Sequence, residues 1–306
     1  MLSGLGQKLA DRWAAASVPA SMFWVGALAA FLVGHGGAAA WGALERWIQQ
    51  RSAITQVALT AGMLLLVVSS AALAQRLATP LLRLLEGYSW PTRLGRRLRA
   101  RSVRRSDRTM AAWRELAPPV QRGGASAEQQ LRFLTLDRRR RRAPADPGRH
   151  MPTRLGNLLR AAEARPRDKY GLDPVVCWPR LWMLLPEPTR RELAAARAGL
   201  DLGATVWLWS VLSLGFVIWT PWALLGAGVA VGAYLWLLAD AQRYGELLEA
   251  AFDLHRSSLY RSLRWPLPAN PAEEPAAGAA LTRYLWRGSR DRCPTFAPSG
   301  GDEPTP

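Results

Sequence analysis

Charged side chains are missing from three long stretches of the chain. There are 32 residues without one between Arg12 and Glu45, 24 between Arg51 and Arg76, and 38 between Asp201 and Asp240. A helix on a soluble core alternates an apolar stripe with a polar face, whereas a bilayer crossing takes roughly 20 consecutive apolar residues. The pattern therefore predicts membrane spans, the first from about Pro19 to Trp41 and the second from about Ile54 to Gln75. The third stretch is too long for one crossing and reads Trp219-Thr220-Pro221-Trp222 at its centre. Thr is a good helix cap and Pro suits a first turn, so a new helix starts there. Each half then has about 19 residues, or roughly 28 Å of helix. The expectation is four transmembrane helices in two hairpins. Trp219 and Trp222 fall at the outer interface and Trp207, Trp209 and Trp236 near the inner one, as an aromatic belt.

Helical periodicity continues beyond the spans. Leu77, Leu81, Leu84, Leu85 and Tyr88 keep the spacing up to Trp90-Pro91, and Glu187 to Leu200 leads into the third span. After the fourth span, YGELLEAAFDLHRSSLYRSLRWPLP places Leu247, Leu248, Ala251, Leu254, Leu259 and Leu263 on one broad face. Ala117 to Gln130, with Pro-Pro and Gly-Gly, and Ala143 to His150 read as linkers, so residues 92 to 150 are expected to be partly folded. Tyr170 to Pro186 (YGLDPVVCWPRLWMLLP) has two internal prolines, which excludes a single helix. It suits a buried core segment, or a membrane-surface wedge with Arg180 between Trp178 and Trp182. Four regions result: residues 1–90, a first transmembrane hairpin with a helix extension; 91–200, a basic domain with linkers; 201–290, the second hairpin and an amphipathic helix; and 291–306, a disordered tail.

Charge fixes an expected orientation. The net charge is +17, and residues 76 to 201 hold 28 Lys or Arg against 12 Asp or Glu. Positive loops stay on the cytoplasmic side, which predicts an all-α inner-membrane protein with this segment and both termini in the cytosol. From Asp240 onward there are eight Arg and nine acids, so that region gives no vote. Lys8 and Arg12 before the first span and Ala38-Ala39-Ala40 at its end resemble a signal peptide, but the apolar stretch is longer than a signal core and predicts an uncleaved anchor. Arg outnumbers Lys by 38 to 2, which with the many Ala residues reflects a GC-rich bacterial coding bias.

PTRLGRRLRA, residues 91 to 100, returns as PTRLGNLLRA at 152 to 161 with eight of ten positions identical. Leu94 and Leu98, like Leu155, Leu158 and Leu159, share a face, and arginines surround it. Each copy predicts a short amphipathic basic helix suited to anionic headgroups or an acidic ligand. The candidate ligand-binding residues are Arg93, Arg96, Arg97, Arg99, Arg138, Arg139, Arg140, Arg141, Arg142, Arg154 and Arg160. Gly95 and Gly156, costly in a helix interior, point to a helix start or a close backbone approach. In the first span Gly26, Ala30, Gly34, Ala38 and Gly42 recur every fourth residue, and Gly228 and Gly232 make a shorter stripe in the fourth. Such stripes serve close helix packing, within one chain or between copies in a homo-oligomer.

PTRLGNLLRAAE, YGLD and CWPRLWMLLP, then a tryptophan-rich hairpin and YGELLEAAFDLHRSSLYRSLRWPLP, resemble an uncharacterised family of multi-pass bacterial membrane proteins over roughly residues 55 to 290. The resemblance implies a common architecture and carries no activity or site residue.

Chemical motifs are few. Two cysteines, Cys177 and Cys293, exclude a disulfide framework or a cysteine-rich metal site, and no phosphate-binding glycine loop, zinc spacing or nucleophile elbow occurs. His35 near the end of the first span can reach water, His150 falls in a linker, and Asp253 and His255 are too close in sequence to face each other on a helix. No catalytic residue, metal or cofactor is expected. Two readings lead, ahead of an intramembrane or nucleotide-processing enzyme as a minor third. One is an oligomeric channel or membrane effector whose arginine-rich domain senses a nucleotide, nucleic acid or acidic protein. Its spans offer few polar residues for a pore: Thr55, Gln56, Thr60, Ser69, Ser70 and Gln75 in the second and Thr205, Ser210 and Ser213 in the third. The other is an anchor or scaffold that recruits a soluble partner, with its basic residues on anionic lipid or an acidic protein.

Overall fold

The computed structural model describes residues 2–288 and 296, with side chains from residue 17 onward. The tail expected to be disordered, 291–306, lies outside the described residues except for Phe296. Among those residues the chain is all-helical and has no strand. Four helices are long and apolar enough to cross a membrane: Ser17–Gly34, Ala53–Glu86, Glu187–Ile218 and Pro221–Ser262. The chain divides into two compact units. The first holds Met1–Leu84 and Ala198–Ala239, and the second holds Leu85–Arg197 and the chain from Asp240.

The first unit contains α1 (Leu2–Gly34), α2 (Ala38–Gln49), nearly all of α3 (Ala53–Glu86), and parts of α8 (Glu187–Ser213) and α9 (Leu225–Ser262). The first crossing stops earlier than the hydropathy pattern suggests. Gly36 and Gly37 have φ of 118° and 59°, which glycine alone adopts easily, and Gly37 N–H closes the turn onto Leu32 O at 2.8 Å. The five-residue stripe is thereby cut, because Ala38 and Gly42 belong to α2. Of the rest, Ala30 is buried and Gly34 lies under Trp219, whose Cβ would be 2.9 Å from an added Cβ. Gly26, Gly228 and Gly232 face open space.

The core of this unit is built on small residues. Ala20 of α1 and Ala71 and Ala74 of α3 surround Trp209 of α8, while the Phe23 ring packs at a tilt with its centroid 4.7 Å from that of Trp209 and 5.1 Å from that of Phe216. Trp24 Nε1 donates to Ser70 Oγ at 3.1 Å. Trp209 is thus a core residue, not a belt residue, since three alanines leave a space that an indole fills. Two 3-10 turns, Leu214–Ile218 and Pro221–Leu224, join α8 to α9 around an extended Thr220. Pro221 opens its turn as the sequence suggests, although the Thr220 side chain makes no capping bond.

The second unit contains α4 (Thr92–Gln121), α5 (Ala127–Arg140), α6 (Arg154–Tyr170), α7 (Pro174–Leu184), the start of α8, the end of α9 and α10 (Glu274–Arg287). Residues 92–150 are mostly helical, contrary to the expectation of partial folding. Pro118 and Pro119 fall in the last turn of α4, where the carbonyls they leave free are at an exposed helix end, so the break comes at Gly123-Gly124. Ser126 then starts α5 with a capping box through Gln129.

Tyr170 to Pro186 is the end of one helix and the whole of another. Gly171 (φ 69°) ends α6, Asp173 caps α7 by accepting from Val175 N–H at 2.9 Å, and Pro174 takes the first turn. α7 also contains Pro179. Its Cys177, Leu181 and the following Leu185 enter a core with Leu193, Leu248, Phe252, Leu259, Tyr260 and Leu281, which is the core role expected of the segment. On α9 the inward face is carried by Leu248, Phe252 and Leu259, whereas Leu254, expected on that face, is 73% exposed. α10 has no counterpart in the expected elements. It seats on the end of α6 backbone to backbone, because a Cβ at Gly278 would fall on the Tyr170 carbonyl oxygen and one at Gly171 on that of Pro275.

Candidate functional site in the arginine-rich unit

The two PTRLG copies do different jobs. In the second, Thr153 Oγ1 accepts from Gly156 N–H at 3.0 Å to cap α6 and donates to the Glu86 carbonyl at 2.8 Å. Gly87, at φ 99°, lies against the Pro152 ring, and a Cβ at Gly156 would fall on the Glu86 carbonyl oxygen. Asn157 closes the joint, accepting from Met151 N–H at 2.9 Å and donating to the Met151 carbonyl at 2.8 Å. Leu155, Leu158, Leu159, Ala161 and Ala162 are all buried. This copy is the seat on which the end of α3 rests, and its leucine face is core, so it cannot lie on headgroups as expected. The first copy opens α4 without a side-chain cap; Leu94 stays exposed, and an added Cβ at Gly95 would meet Trp90 and Pro152 at an ordinary 3.8–3.9 Å.

α5 packs along α4 through its aromatic residues. Trp113 stacks on Phe133 with centroids 5.4 Å apart, and the Arg140 guanidinium sits 4.3 Å above Trp113 while pairing with Asp137 at 3.1 Å. This brings the end of the arginine run to α6 and α9. Arg142 Nη2 donates to Gln242 Oε1 at 2.9 Å. A cleft of about 480 Å³ opens between α4, the end of α5, the 143–147 connection, α6 and Glu249 of α9. Arg114, Arg140, Arg141, Arg165 and Lys169 line it against Asp107, Asp168 and Glu249.

Glu249 is the centre of the cleft's charge. Arg165 Nη1 donates to its Oε2 at 2.6 Å, Lys169 Nζ pairs with its Oε1, and Arg141 Nη2 is 4.0 Å from the same oxygen. Arg165 Nη2 also donates to the Arg141 carbonyl at 2.7 Å. Three cations therefore converge on one carboxylate whose side chain is 12% exposed. The fork of Arg165 and the ammonium of Lys169 thereby meet both oxygens of the Glu249 carboxylate. One turn along α9, Asp253 accepts from Tyr170 Oη at 2.5 Å, and Arg256 lies 4.3 Å over the Tyr170 ring while bonding Glu274 of α10 at 2.5 Å. Burial and the Asp253 carboxylate push the Tyr170 phenol up to about 12.

His150 forms a wall of the cleft. It is 2% exposed, its Nδ1 is 3.0 Å from Ser102 Oγ of α4, and burial lowers its pKa from the ordinary histidine value. On its other side a second cleft of about 500 Å³ combines Tyr88, Trp178 and Tyr244 with Arg99, Arg149, Arg160 and Arg167. Arg160 stands 5.5 Å over Tyr88 and pairs with Glu163 at 3.3 Å. Arg149 pairs with Asp146 and Asp168, each at 3.4 Å.

Of the residues singled out in the sequence, Arg140 and Arg141 reach the first cleft and Arg99 and Arg160 the second. Arg93, Arg96, Arg97, Arg138, Arg139 and Arg154 are exposed and line neither. Sequence reasoning missed Arg165, Lys169 and Glu249. The available signal was spacing: Arg165 and Lys169, like Glu249 and Asp253, are four apart and so share a helix face.

No family model matches the chain, and no curated protein or solved structure matches it significantly.

Proposed function

We propose that the chain is an inner-membrane protein whose arginine-rich unit faces the cytosol and binds an anionic ligand, acting as an oligomeric channel or membrane effector. The observation that carries this reading is the convergence of Arg141, Arg165 and Lys169 on Glu249. A phosphate-bearing ligand offers the same cations more acceptor oxygens than a carboxylate does. Glu249 lies on α9, the helix that also supplies the fourth candidate span, so a ligand that takes these cations from Glu249 acts on an element continuous with the membrane. Binding shifts such an element only through differential affinity for its two positions. The test is ion flux through liposomes containing the purified chain, with and without nucleoside triphosphate or oligonucleotide. Ligand-dependent flux that Arg165→Gln/Lys169→Gln abolishes supports the reading; no flux under any condition removes the channel.

The second reading is an anchor that holds a soluble acidic partner or anionic lipid at the membrane. The exposed arginines outside both clefts favour it, since Arg97, Arg138, Arg139 and Arg154 have no ion-pair partner among the described residues. Charge reversal across Arg138–Arg142 that abolishes recovery of a partner without affecting permeability would select it.

A further inference from the structure

α4 carries more positive charge than either cleft uses, and its arrangement is regular. Arg93, Arg97, Arg101, Arg104 and Arg108 are spaced by four, four, three and four residues. At about 100° and 1.5 Å per residue they fall within an arc of about 80°, one guanidinium every 4.5–6 Å for about 22 Å. All five are exposed, and none forms an ion pair among the described residues. The opposite face of α4 is occupied: Ser102 bonds to His150, Trp113 stacks on Phe133, and Ala117 is buried. Arg96 and Arg105 flank the row, so arginine covers about half of the helix circumference in this segment, while Arg99 projects from the occupied side into the second cleft.

We infer that the outer face of α4 is a track for the phosphate backbone of duplex nucleic acid. This deepens the reading of an anion-binding unit and rests on it. Two features select a duplex over a bilayer. A helix that lies on lipid buries a broad apolar face beside its cations, whereas Leu94 is the single large apolar side chain that α4 leaves mostly exposed. A major groove about 12 Å wide admits an α-helix between two phosphate strands, which suits cations spread over about half of a circumference. The contacts are to backbone, so binding is independent of sequence and steeply dependent on salt.

The test is binding of a fluorescent 20-base-pair duplex to the full chain in neutral nanodiscs, measured by anisotropy from 0.05 to 0.3 M salt. Five engaged arginines give a slope of log K against log salt near −4.5, at about 0.9 per phosphate contact. Arg97→Gln/Arg101→Gln/Arg104→Gln should flatten the slope by about 2.7 and weaken binding about 500-fold at 0.1 M salt. Arg138→Gln/Arg139→Gln should leave the slope within one unit of wild type. Circular dichroism checks that the variants keep their helix content. An unchanged slope in the triple variant overturns the track. If Arg165→Gln/Lys169→Gln then loses the duplex instead, the anion-binding reading stands with its site in the cleft. If the wild type ignores the duplex but binds vesicles containing phosphatidylglycerol through the same three arginines, the surface is a lipid contact and the inference is wrong.

Discussion

Substituting the same glycine in the two PTRLG copies should give opposite results. Gly156→Ala places a methyl group on the Glu86 carbonyl oxygen and 2.8 Å from the Met151 Cβ. The first is backbone and cannot rotate away. Overpacking of this kind costs about 1–3 kcal/mol. Gly95→Ala meets neighbours no closer than 3.8 Å. Both exchanges gain the helix propensity of alanine, up to about 1 kcal/mol, so that contribution cancels between them. The two variants should therefore differ by about 1–3 kcal/mol, with Gly95→Ala at or above wild type. For a unit of this size, about 2–4 °C per kcal/mol applies, giving a gap of roughly 2–12 °C in thermal unfolding of the purified chain followed by near-UV circular dichroism. Equal melting of the two variants would refute the claim that Gly156 is the contact point beneath the end of α3.

Three further outcomes follow from the second unit. His150 has a depressed pKa, so the unfolded chain binds its proton first as pH falls through the ordinary value of 6.5. Stability should be full above that value and decline below it, and His150→Gln should reduce the difference in melting temperature between pH 7.5 and 5.5. Tyr170 is held protonated to about 12 while an unfolded tyrosine ionises near 10, so stability should fall between those values, and Tyr170→Phe should reduce that loss in alkaline melting curves. Cys177 is buried beside Thr282, and burial raises its thiol pKa. In a Cys293→Ser background it should resist maleimide until denaturant unfolds the chain; rapid labelling of the native protein would contradict the core assigned to α7.

The spans were legible because absence of charge over 24 to 38 residues is a strong, local signal. The end of the first was not, since the turn at His35–Gly37 does not interrupt the charge-free run and is set by two positive φ values. α4 was obscured by Pro118-Pro119, which suggest a linker until they are seen in a last turn. His150 looked like part of a connection because its burial depends on Ser102, 48 residues away. The cleft was half visible. The arginine run at 138–142 stood out, but its partners Arg165, Lys169 and Glu249 become one site only when α6 and α9 pack together, as the 2.7 Å approach of Ala162 Cβ to an added Cβ at Gly245 shows they do. Leu254 failed for a related reason: a broad apolar face was assumed where the core takes the narrower face of Leu248, Phe252 and Leu259.

The account depends on four crossings that leave the arginine-rich unit in the cytosol. Single cysteines at exposed positions of that unit, Arg97→Cys and Arg138→Cys in a Cys177→Ala/Cys293→Ser chain, can be probed with a membrane-impermeant maleimide on intact spheroplasts and on inverted vesicles. Labelling of both positions in inverted vesicles and neither in spheroplasts is the expected result. Labelling in intact spheroplasts would place the unit outside and contradict the account.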